Sequence, residues 1–194
     1  MINDKVRQLL AEMKALEDEL ATTLHEQQSK MFFEIKGKRI EFASEAQAAH
    51  RKLKRGLLRW LGYRPLNLIT GPIIYAMIVP LLLVDLCLSF YQASCFPIYG
   101  IAKVRRGDYI VMDRQQLGYL NIIEKFHCSY CAYGAGVIAY STEIVARTEQ
   151  YFCPIKHARK MLGTHARYAG FIEYGDAEDY QARLEEYRVA LGKE

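Results

Sequence analysis

The chain has 194 residues and a formal net charge of +4, enough for one domain with a real core and mild enough that charge matters through its distribution, not its total. Five cysteines, an odd number, and a polar opening MINDKVRQLL argue against a secreted disulfide framework and for reduced thiols facing a cytosolic compartment. No phosphate-binding loop, dinucleotide fingerprint, serine-hydrolase elbow or internal repeat is present, so nucleotide chemistry is unsupported and no nucleic-acid partner is expected.

From Asn3 to about Gln28 there is no Pro or Gly, and Val6, Leu9, Met13, Leu16 and Leu20 alternate at three- and four-residue spacings, which predicts a helix. The repeat lasts about two and a half heptads before Thr23 and Gln27 break it. The stripe is therefore expected to pack on the rest of the chain, with a second copy or a protein partner as the alternative occupant. Next, Phe33-Glu34-Ile35 and Ile40-Glu41-Phe42 alternate around Lys36-Gly37-Lys38-Arg39 and read as a hairpin that must lean on something. Ser44 with Gln47 has a capping-box pattern opening a second helix to about Leu61. There Leu53, Leu57, Trp60 and Leu61 share a face and Arg51, Lys52, Lys54, Arg55 and Arg59 fill the remainder.

Residues Leu66 to Val104 are apolar, with Asp85 the single acidic residue and no basic one before Lys103. The densest part, Ile69 to Phe90, is long enough for a hydrocarbon core, so a lipid membrane is the expected partner of this segment. Basic residues flank both ends, and Gly71-Pro72, Pro80 and Pro97 can bend helices. A re-entrant helical hairpin is thus expected slightly ahead of a single transmembrane span, because it keeps the thiols in a reducing compartment. Asp85 needs a basic partner or a place near the interface, and is otherwise a proton or ligand site.

After Gly107-Asp108, Tyr109-Ile110-Val111-Met112 reads as a short strand, and helical pattern resumes near Leu117. On a helix Glu124, His127, Cys128 and Cys131 share a side, though Glu124-x-x-His127 lacks the second pair a di-iron site needs. The stronger set is Cys128-x2-Cys131 with Cys153-x3-His157, whose thiolates and imidazole suit a tetrahedral zinc, or iron, centre. Cys153-Pro154 also reads as a helix start, where the positive helix end favours a thiolate and a nucleophile, and Cys128/Cys131 can be read as a redox dithiol. Glu143 and Glu149 are candidates for support of the site or for acid–base roles, with surface pairing of Glu143 to Arg147 as the simpler alternative. Ala158 to Glu194 is expected to be helical, ending in a helix with Tyr180, Leu184, Tyr187 and Leu191 on one side.

The strings HCSYCAYG, RTEQYFCPIKHARK and CFPIYGIAKVRRGDY resemble an uncharacterised group of small bacterial membrane-associated proteins, over roughly Leu66 to Tyr174. The resemblance implies a bacterial, membrane-associated setting and carries over no catalytic residue; with the reduced-thiol argument, the expected place is the bacterial inner membrane with most of the chain cytoplasmic. The expected fold is mainly α: an arm (1–30), a hairpin and basic helix (31–64), a membrane-inserted segment (65–104) and a small helical Cys/His domain (105–194). The expected function is a membrane-associated metal-binding protein. A membrane-bound thiol oxidoreductase or thiol-dependent enzyme acting on a hydrophobic substrate, and a structural subunit of a membrane complex, are the alternatives.

Overall fold

A computed structural model describes residues 4–37, 39–53 and 66–193. The chain is mainly helical, at 70% helix. It divides into two units, Met1–Gly71 with Met112–Ser129, and Pro72–Val111 with Tyr130–Glu194, so residues 112–129 belong with the N-terminal part and not with the segment that follows them.

In the first unit α1 runs from Asp4 to Phe32, four residues beyond the expected end, and passes directly into β1 (Phe33–Lys36). β1 pairs antiparallel with β2 (Arg39–Phe42) in the register Phe33 to Phe42, Glu34 to Glu41 and Ile35 to Ile40. Gly37, at φ 63°, supplies the left-handed turn residue the hairpin needs. A two-stranded ribbon alone is marginal, and this one is supported by rings: Phe42 packs edge-on against His50 of α2 (Ser44–Leu53), and His50 against Tyr119. Gln116 Oε1 accepts from the Ile40 amide at 2.8 Å. The expected continuation of the basic helix through Leu57, Arg59 and Trp60 to Leu61 lies outside the described residues. Against expectation, the α1 stripe is open to solvent among the described residues: Leu9, Met13, Leu16, Leu20 and Leu24 are 48–64% exposed.

The apolar segment forms α3 (Leu66–Ala76) and α4 (Ile78–Tyr99), which together make one 31-residue apolar helix from Ile69 to Tyr99. Pro80 has no amide to give the Ala76 carbonyl, and the irregularity is absorbed locally, where the Met77 amide donates to Ile74 O. None of the prolines folds the chain back, so the expected re-entrant hairpin is not formed. The helix ends at Gly100 in the left-handed conformation.

It packs on α6 (Ile122–Phe152); between them lies a single turn, α5 (Arg106–Tyr109), at the expected Gly107-Asp108 turn, and residues 110–112, where the strand was expected to continue, form none. Within the second unit α4 and α6 run parallel. Tyr130 donates to Ile74 O, Gly134 lies against Leu81, Ser89 meets Tyr140, Tyr91 meets Thr148, and Tyr99 packs on Phe152, so both chains ascend together. Phe96, Ile101, Val104, Tyr140, Ile144 and Leu191 form the core, the last from α7 (Tyr180–Leu191). The expected helix through Cys153 and His157 is absent. Residues 153–156 are extended, joined to Ile172 by a parallel bridge in which the Lys156 amide donates to Ile172 O at 2.7 Å.

Candidate functional site

Cys128 and Cys131 lie on successive turns near the start of α6, whereas Cys153 follows its last residue, Phe152. At 1.5 Å of rise per residue the intervening helix holds Cys131 and Cys153 about 33 Å apart. A tetrahedral ion needs ligand atoms about 2.0–2.3 Å from one point, so Cys128, Cys131, Cys153 and His157 do not converge. Among the described residues no group of three His, Cys, Asp or Glu side chains is placed to hold a metal ion. The sequence spacing suggests a hairpin between the two pairs, and an unbroken helix takes its place because Gly134 and Gly136 are packing positions instead of a break. A Cβ on Gly136 would sit 2.7 Å from the Tyr109 carbonyl oxygen and 2.9 Å from Ile110 Cα.

Glu124 is likewise withdrawn from any ligand set. Asn121 Oδ1 accepts from the Glu124 amide and Glu124 Oε2 accepts from the Asn121 amide, both at 2.9 Å, which is a reciprocal capping box at the start of α6. At the other end the Cys153 amide donates to Glu149 O at 2.8 Å, closing the last turn. Cys153 therefore sits at the carbonyl end of α6, where the helix dipole is negative, and the argument for an activated thiolate at a helix N-terminus does not apply to it. Its side chain and that of His157 are exposed, and the His157 amide accepts no role beyond donating to the Tyr168 hydroxyl at 2.7 Å.

Two polar clusters that the sequence reading did not assemble occupy the second unit. The first is built on the inward face of the apolar helix, where Asp85 is 8% and Gln92 8% exposed. Arg106 grips Asp85 with two parallel bonds, Nε to Oδ1 at 3.0 Å and Nη2 to Oδ2 at 2.7 Å, and Tyr133 donates its hydroxyl to Oδ2 at 2.8 Å. Ser89 lies 3.4 Å from Oδ1 and also meets Tyr140 at 3.2 Å. Gln92 brackets the Val104 backbone, accepting from its amide at 2.9 Å and donating to its carbonyl at 3.2 Å, and donates to the Tyr140 hydroxyl. The carboxylate thus has the basic partner its depth requires, and the bidentate geometry is the strongest form of such a pair.

The second cluster lies on α6. Glu143 Oε1 accepts from Arg147 Nε at 2.8 Å and from Arg167 Nη2 at 2.7 Å, with all three side chains under 20% exposed. Burial alone would raise the Glu143 carboxyl, but the hydrogen bonds and charges of the two guanidinium groups outweigh it and hold the group below its ordinary value. A carboxylate kept ionised in this way is a clasp between α6 and the segment carrying Arg167, not a group poised to exchange protons near neutral pH. Arg167 extends the clasp to Gln150 at 3.0 Å, and Arg147 reaches Ala102 O at 2.7 Å. Glu149 is occupied by His165, Nε2 to Oε2 at 2.9 Å. The Glu143–Arg147 contact, four residues apart, is the part that local spacing reveals; Asp85 and Arg106 lie 21 residues apart, Glu143 and Arg167 24, and Ser89 and Tyr140 51, and no local spacing reveals those partners.

What the arrangement does chemically is join helices through charge-assisted bonds while presenting an uncharged exterior. Along the apolar helix the outward side chains are Ile73, Met77, Val79, Leu83, Leu86 and Phe90, at 56–73% exposed. No protein-family model, no curated protein and no solved structure matches this chain.

Proposed function

We propose that the protein is a membrane-held adaptor, a structural component that binds the bilayer through the apolar helix and engages a partner helix through α1. The observation that carries the adaptor reading is the uncovered stripe of α1: Leu9, Met13, Leu16, Leu20 and Leu24 are 48–64% exposed along a 29-residue helix. A seam of this kind is stable in water only when another helix covers it. With Leu9, Met13, Leu16 and Leu20 as the seam, the charged flanking positions alongside it are Glu12, Glu17 and Glu19, with Lys5 and Glu26 beyond its two ends. Two copies in parallel would set Glu12 against Glu17 of the other, so the charge pattern favours a different chain with basic residues flanking its own seam.

The membrane half of the proposal is supported by the inward turn of Asp85, Ser89 and Gln92 and the outward turn of large aliphatic side chains, the reverse of a water-facing helix. The expected bacterial inner-membrane setting stands with this proposal. The zinc or iron reading is not carried forward, because its four ligands do not converge.

The test uses the full chain in detergent micelles, titrated with two synthetic helices that share a leucine seam and differ in carrying Lys or Glu at the flanking positions. The Lys-flanked helix is expected to bind, and the double substitution Leu16→Asp and Leu20→Asp to abolish binding without loss of the remaining helical signal. Equal binding of the two helices, or self-association of the full chain through α1, would overturn the heterotypic reading.

A further inference from the structure

The apolar helix is long enough to cross a bilayer, yet the chain that leaves it leads elsewhere. Because α4 and α6 are parallel, the polypeptide must travel back along them before α6 can begin its ascent beside Ile74. That return is visible. The Ile101 amide bonds to Phe96 O at 2.9 Å, Val104 is bracketed by Gln92, Arg106 reaches Asp85, and the Tyr109 carbonyl and Ile110 Cα press on Gly136. From Tyr99 back to Asp85 the strip covers about 21 Å of α4.

Apart from the single turn α5 the strip has no helical hydrogen bonding, and it exposes Lys103, Arg105, Arg106 and Asp108, with the Arg105 side chain at 84% and Asp108 at 59%. In a spanning orientation this irregular, charged backbone would run at depth beside the helix. Hydrocarbon does not tolerate that, since each unpaired backbone group costs several kcal/mol and each charge more. The stretch of helix beyond the contacts of the strip, Ile69 to Asp85, is about 24 Å long, less than the roughly 30 Å of a hydrocarbon core.

The opposite condition holds on the outer arcs. On the apolar helix Ile73, Met77, Leu83, Cys87, Phe90 and Ile98 are exposed and uncharged, and on α6 the exposed residues from Cys131 to Val145 include Ala135, Ile138, Ala139 and Thr142, again without a charge. Resting on the membrane reading above, we infer that the helix pair is monotopic: it lies along one leaflet with these arcs among the acyl chains and the Lys103–Asp108 strip in water, and the apolar helix does not cross. A face of this length with its polar residues turned inward is matched to lipid hydrocarbon, and a second copy of the chain is the competing occupant.

Depth-resolved quenching decides the matter. In full-length protein with Trp60→Phe, single tryptophans are placed by Ile73→Trp, Cys87→Trp and Ile98→Trp, on one arc of the helix and spread over about 37 Å of its axis. Each is reconstituted into phosphatidylcholine vesicles whose acyl chains are brominated either near the headgroup or near the bilayer centre. The monotopic arrangement predicts that all three are quenched most by the shallow bromines, to a similar degree. Strongest quenching of the Cys87→Trp protein by the central bromines, with both ends shallow, would show a crossing helix and overturn the inference while leaving membrane binding intact. Absence of quenching at all three positions would overturn membrane binding itself and leave a second copy as the cover. Sidedness gives an independent measure that places no tryptophan on the arc. Glu45→Cys and Lys103→Cys, each in protein whose native cysteines are serine, are expected to react with an impermeant maleimide from the same side of sealed membranes, and reaction from opposite sides refutes the proposal.

Discussion

Arg106 and Asp85 are bound to each other but are not equally buried: the Asp85 side chain is 11% exposed and that of Arg106 48%. The two halves of the pair should therefore respond unequally to removal. Arg106→Ala strands a carboxylate among apolar side chains with only Tyr133 and Ser89 to satisfy it. Breaking a buried pair in this way costs about 3–5 kcal/mol, and water reaching the half-open Arg106 side places the expectation near the lower bound, about 3 kcal/mol. For a chain of this size that is a fall in Tm of roughly 6–12 °C. Asp85→Asn leaves a guanidinium that can swing to solvent and an amide that can still accept from Tyr133, so about 1 kcal/mol is expected. The double variant Asp85→Asn, Arg106→Ala has no stranded carboxylate and should resemble Asp85→Asn, not the sum of the two singles. Thermal unfolding of the detergent-solubilised protein, followed by circular dichroism, measures all three. Equal losses in the two single variants, or a double variant less stable than Arg106→Ala, would show that burial asymmetry does not govern the pair.

The Glu143 clasp sets a dependence on pH. Its folded value is depressed, so its contribution is fully present above the ordinary glutamate value of about 4.3 and is lost as pH falls through the folded value. The wild type is expected to lose stability between about pH 5 and pH 3 more steeply than Glu143→Gln, which should already be weaker at neutral pH by about 3 kcal/mol because the carboxylate that both guanidinium groups grip is gone. Parallel pH profiles would refute it. At Gly136 the contact is with backbone, so Gly136→Ala must displace the return strip or α6; a loss of about 1–3 kcal/mol is expected in the same unfolding assay, and an unchanged Tm would mean the strip is not held there.

Periodic features were the legible ones. The hairpin around Gly37 has the expected pairs, and α1, the apolar helix and α7 follow from apolar spacing and the absence of breakers. Pro80 was read as a place where the chain could turn back, but one missing amide costs a single bond, which a local turn at Met77 absorbs. Spacing misled at the cysteines for a related reason. Ligand spacing implies a site only if the chain between the pairs doubles back, and of the two uses open to Gly134 and Gly136, close packing or a break, the helix uses packing, against Leu81 and the return strip. The Asn121-Ile-Ile-Glu124 capping box is a local signal present in the letters, and it gives Glu124 a structural place at the start of α6. The Asp85 and Glu143 clusters depend on Arg106, Tyr133 and Arg167, whose approach is set by tertiary structure.

The Gly100 turn is fastened from far along the chain: the Ala102 amide donates to Leu191 O at 3.3 Å, and Gly192 abuts the Gly100 carbonyl. A ribosome adding roughly 5–20 residues per second needs about 5–20 s to travel from one of these positions to the other. Throughout that interval the apolar helix has been synthesised but the piece that locks its reversal has not. Until residues 180–191 are made, the reversal at Gly100 lacks this fastening, so truncation before Tyr180 is expected to be felt first as aggregation during synthesis.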